Sequence, residues 1–139
     1  ESSKTVMDNL NFAIETMSRE IRFGKNYHCS SSGNLSSPQN CVSGDSFVSF
    51  LSSDGIQTVY RLNGTTIEKS IDGGNTYLAV TAPEIKINSL SFYVVGANPP
   101  PDTLQPKVLI KINGTAGAKA NTTTSFTLET MASQRLIDN

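Results

Sequence analysis

The sequence predicts an α+β domain in which one long N-terminal amphipathic helix packs on an antiparallel sheet of about six or seven strands. Three observations carry that expectation. Met7, Leu10, Ile14, Met17 and Ile21 step by three or four residues and so share one helical face. From residue 46 onward the apolar residues alternate instead. Asp54-Gly55 and Asn63-Gly64 then punctuate the alternating runs as hairpin turns.

Taken in order, the helix is expected over residues 4–23, with Lys4, Asp8, Glu15, Arg19 and Arg22 largely off the apolar stripe. Gly24 follows as its expected C′ residue, and Arg19, Arg22 and Lys25 suit the negative end of the helix dipole. Such a helix would be about 30 Å long, enough to cross a small domain. Residues 24–45 are expected to be loop. Strands are expected at 46–52, 56–63, 66–71 and 77–81, the first three forming a meander. Asp72-Gly73-Gly74-Asn75 turns the chain between the last two. The segment 84–95 changes phase: Ile85 and Ile87 share one alternation, whereas Leu90, Phe92 and Val94 share the other. A one-residue slip demands a bulge or bend near Asn88-Ser89, and a bend there allows a second sheet layer. Residues 97–105, with three consecutive prolines, are expected to be an exposed loop. A strand at 106–113 with Val108, Ile110 and Ile112 inward follows, then a small-residue loop at 114–122. A last strand at 125–131 carries Phe126 and Leu128 inward, and 134–139 is a polar tail. The 139 residues thus read as one domain, with a β region over 46–133.

Cys29 and Cys41 flank a segment rich in Ser, Gly, Asn and Pro. They admit a disulfide, two free thiols or half of a metal site. A zinc site needs more ligands and His28 is the only histidine, so cysteine arithmetic favours the disulfide and an oxidising, extracytoplasmic compartment. The net charge of −1 gives no electrostatic reason to expect nucleic acid or an anionic membrane. No apolar run is long enough to span a bilayer, no signal peptide is visible, and a start at Glu1 reads as a processed or truncated product.

The order of elements, with several short motifs, resembles the globular half of a type IV pilin or pseudopilin, of the minor-subunit group called J-type or W-type. Met17-Ser18-Arg19-Glu20-Ile21-Arg22 resembles the end of that group's long helix, and Val59-Tyr60-Arg61-Leu62 with Asn63-Gly64-Thr65-Thr66-Ile67 its tyrosine-containing hairpin. Ile85-Lys86-Ile87-Asn88-Ser89-Leu90-Ser91-Phe92 resembles the strand leading into its second β-layer, and Phe126 to Asp138 its closing strand with a basic end. The family's cleavage motif and apolar N-terminal helix are absent from this sequence. The resemblance implies a chain beginning part-way along that helix, whose missing half would anchor the subunit in the inner membrane and later pack in the filament core. It implies other pilin or pseudopilin subunits as partners, in a type IV pilus or type II secretion filament, with a role in initiation or at the tip. The loops at 26–44 and 97–105 are the expected contacts with neighbours or a surface ligand.

No catalytic role is expected. A hydrolase triad would rest entirely on His28, and no nucleophile elbow, phosphate loop or dinucleotide fingerprint is present. No cofactor is expected either. Because some major pseudopilins hold calcium in a loop, Asp72 and Asn75 are the calcium candidates, with Asp102 in another loop. Two side chains fall short of calcium's usual six to eight oxygens, so a plain turn is the simpler expectation. Lys107 and Lys111, with Lys86, are better read as charges that protect a sheet than as a DNA surface. Four Asn-x-Ser/Thr triplets, at Asn34, Asn63, Asn113 and Asn121, are close to chance in a chain so rich in these residues. The alternative function is a free secreted β-rich binding module, an adhesin or glycan-binding domain, although Trp is absent and the four Tyr are scattered.

Overall fold

A computed structural model describes residues 3–97, 105–117 and 123–135. The helix α1 runs Ser3–Arg22 and sinks Val6, Leu10, Ile14, Met17 and Ile21 into the core. Met7 packs partly buried on the flank of that stripe. Gly24 ends the helix for a different reason from the expected one. A Cβ there would lie 2.6 Å from Phe50 Cδ2 and 3.0 Å from Leu51 O, so the side chain is excluded by close packing. The left-handed residue is Asn26, with φ of 57°.

Among the described residues nine strands follow: β1 (Lys25–His28), β2 (Cys41–Asp45), β3 (Phe47–Leu51), β4 (Gln57–Asn63), β5 (Thr66–Ser70), β6 (Leu78–Ala79), β7 (Ile85–Val95), β8 (Lys107–Ala116) and β9 (Thr124–Ser133). They form two antiparallel sheets, one ordered β1-β3-β4-β5-β6 and the other β2-β7-β8-β9. The helix lies against β8 and β9, while β7 meets β3, β4 and β5 across the interface between sheets. One apolar cluster joins all three layers, from Val6 and Met17 through Phe50, Tyr60 and Phe92 to Phe126. Burying such side chains contributes about 1.5–3 kcal/mol each against exposure.

Segment 24–45 is not simply loop. It supplies β1 to one sheet and β2 to the other, and each is an edge strand. Cys29 follows β1, Cys41 opens β2, and the bond between their sulfurs, with Cα atoms 5.6 Å apart, clasps the two sheets at that end. The meander β3–β4–β5 pairs in regular register, with Gly55 and Gly64 at positive φ in its turns.

The phase change in β7 is a register shift between Ile87 and Ser89, so that Ile85 and Ile87 before it and Leu90, Phe92 and Val94 after it all point inward. Directly opposite lies Gly114, paired with Ile87. A Cβ on Gly114 would overlap the Lys86 carbonyl oxygen, so the bulge needs a glycine across from it. Residues 114–116 are therefore the end of β8 rather than the start of a loop. The rest of the small-residue stretch, 118–122, lies outside the described residues, as do 98–104 of the proline loop and 136–139 of the tail. The described part of the tail is bonded to the domain: Arg135 N donates to Arg22 O (2.8 Å), and Gln134 Nε2 to Gly24 O (3.2 Å).

Candidate functional site

The helix offers one face to the core and the other to solvent, and a polar cluster fixes how it sits on the five-stranded sheet. Glu20 projects from α1 towards β4 and β5. Its Oε1 accepts from Tyr60 Oη at 2.5 Å, and its Oε2 meets Lys69 Nζ at 2.8 Å. Burial, then Glu20, pushes the Tyr60 hydroxyl well above its ordinary range, so it stays a donor. Tyr27 braces the end of the same helix, its single Oη proton shared between Ile21 O (2.6 Å) and Gly24 O (2.9 Å). Ile21 O, one of the last helical carbonyls, also accepts from Gly24 N, so the hydroxyl adds to a closed helix end.

Beside this cluster runs a cleft of about 490 Å³ between α1 and the β5–β6 edge, bordered by Phe12, Ala13, Thr16, Tyr60, Lys69 and Val80. Phe12 is 69% exposed at its rim. The nearby β6 is only two residues long and its Leu78 is exposed, so a short strand with an apolar side chain forms this sheet edge. On the outer face of the other sheet, register aligns Tyr93, Leu109 and Met131 in one row across three strands. Met131 is exposed there, as is Val42 on β2.

The remaining sequence candidates have local explanations. Asp72 caps its own turn. Its Oδ1 accepts from Ser70 Oγ (2.7 Å), Asn75 N (3.1 Å) and Thr76 N (2.9 Å), and Oδ2 accepts from Thr76 Oγ1 (2.6 Å). The Thr76 and Ser70 hydroxyls, in that order, lower its carboxyl to about 2. Asn75 donates its side-chain amide to Asp72 O. Among the described residues no group of three or more acids, histidines or cysteines could hold a metal ion; Asp102 lies outside them. Lys107 and Lys111 share the outer face of β8, but Glu129 is directly opposite Lys111, and Lys86 stands at the far end beside Thr115. His28 is buried, with both ring nitrogens at backbone carbonyls. Sequence reasoning missed the Glu20–Tyr60–Lys69 cluster. Glu20 at the edge of the helical stripe was the available signal, but its partners lie 40 and 49 residues away.

No protein-family model, curated protein or solved structure matches this chain. The helix on two antiparallel sheets is compatible with a pilin-like domain without being specific to one.

Proposed function

We propose that this chain is the globular part of a minor pilin or pseudopilin. In this reading it is a structural, non-catalytic subunit that initiates or tips a type IV pilus or type II secretion filament. The observation that carries the reading is the placement of α1. Its inner face is locked to both sheets, while its outer face, with Phe12 exposed beside the cleft, remains open to a neighbouring subunit. A helix continued N-terminally from Ser3 by about 20 apolar residues would reach across a bilayer. The clasping disulfide suits assembly outside the cytoplasm, first at the periplasmic face of the inner membrane and then in a periplasmic or surface filament. Partners are other subunits of the filament. The divided lysines give DNA no continuous basic track.

The test is the gene upstream of Glu1. A short basic leader, a glycine cleavage point and an unbroken apolar run entering α1 support the proposal, and a conventional signal peptide abutting Glu1 overturns it. One observation favours the second reading, a secreted binding module: the row of half-buried Tyr93 and Leu109 and exposed Met131 on the outer face of the four-stranded sheet. That signal-peptide outcome would leave it as the working idea.

A further inference from the structure

His28, the only histidine, is 2% exposed and directly precedes the disulfide cysteine Cys29. The segment closed by that bond folds over its ring. Nδ1 lies 2.8 Å from Ser37 O and Nε2 lies 2.6 Å from Ser32 O. Gly33, at φ of 82°, passes so close that a Cβ there would be 3.4 Å from the ring Cε1. Both ring nitrogens therefore face oxygens that can only accept. A neutral imidazole carries one N–H, and whichever nitrogen holds it, the other turns a lone pair towards a carbonyl. Only the imidazolium donates to both.

We propose that the disulfide-closed loop is a proton-dependent latch, in which the His28 imidazolium holds the carbonyls of Ser32 and Ser37. Loss of one ring proton releases the segment between them, while the disulfide keeps its ends tied. The return leg is held independently, because Gln39 N donates to Tyr27 O (2.8 Å) and Cys29 N to Gln39 O (3.1 Å). Release is thus confined to residues 30–38, within which the bond from Gln57 Nε2 to Leu35 O (3.1 Å) still ties the chain to the sheet.

The surroundings leave the ring as the titrating group of this latch. Residues 30–40 contain no titratable side chain, and the bridge removes both thiols. From the sheet side, Ser49 pairs with His28, and Gln57 donates to Ser49 Oγ and Leu35 O. Among the described residues no ion pair joins a carboxylate to His28. The two carbonyl dipoles are what offset its charge. The latch would operate equally in a filament subunit or in a free binding module.

The experiment uses uniformly ¹⁵N-labelled protein with the disulfide intact, followed from about pH 5 to about pH 9, the span in which histidine charge changes. Imidazole ¹H–¹⁵N spectra report the ring protons. Amide protection factors, corrected for intrinsic exchange, report residues 30–37. The expected result is two protonated ring nitrogens at the acid end, and loop protection falling about tenfold or more as one proton leaves. A ring with one protonated nitrogen throughout, or loop protection indifferent to the ring's titration, overturns the proposal. In His28→Gln the loop is expected to be poorly protected at every pH, and a pH step that survives the substitution also overturns it. Should that variant fail to fold, the measurements on the unsubstituted protein still decide.

Discussion

Gly114 is required by a residue far from it in sequence, because the bulge at Ile87–Ser89 brings the Lys86 carbonyl against its Cα. Replacing it with valine should destabilise the domain by about 2–3 kcal/mol, as overpacking does, with denaturant unfolding as the readout. An alanine or valine there with unchanged midpoint would show that the bulge can relax. Asp72 makes a different prediction. Its carboxyl titrates near 2 in the folded state, below the ordinary carboxylate value. A depressed folded value contributes stability above the unfolded one, lost as pH falls from about 4 towards 2. Carboxyl ¹³C titration should place its midpoint near 2, and Thr76→Ala should raise it, because the largest contribution comes from that hydroxyl. The turn itself was legible in Asp72-Gly73-Gly74-Asn75. Its use as a cap was not, since Ser70 and Thr76 acquire that role only when the turn closes.

At the scale of elements, the helix is held by two kinds of contact. The apolar stripe was legible from its spacing, because burial of one helical face imposes that period. The Glu20–Tyr60–Lys69 cluster was not, since it depends on which sheet strand meets which helix turn. Tyr60→Phe should cost about 2 kcal/mol, as loss of a half-buried bond to a charged acceptor does. Its effect should be non-additive with Glu20→Gln in a double-mutant cycle. Additivity would mean that the two residues act separately. The disulfide joins edge strands of different sheets rather than closing a free loop. Cys29→Ser with Cys41→Ser should therefore lower stability by about 3 kcal/mol in the chain-entropy estimate for a loop of this size. Amide exchange in β1 and β2 should rise before that in β8.

For the whole molecule, assembly and folding make separable demands. Phe12 is 69% exposed, so Phe12→Glu should leave the unfolding midpoint within about 0.5 kcal/mol. In cells carrying the full-length gene, the filament proposal expects the same change to reduce filament number; normal filaments on a folded variant would remove α1's outer face from the assembly surface. The sequence by itself determined the helix and its buried side apart from Val6, which takes the place read for Met7, the hairpins at Asp54-Gly55 and Asn63-Gly64, and the position of the β7 slip. Each is written in a local period of 3.6 or 2, or in a two-residue turn, and needs no distant partner to be recognised. Tertiary structure decided the division into two sheets, the strand character of β1 and β2, the need for Gly114, and the carbonyl pair around His28. Each depends on backbone groups brought together by the chain's path: β1 and β2 are short edge strands that gain their pairing from β3 and β7, and the ring of His28 meets its partners only after the loop has folded over it.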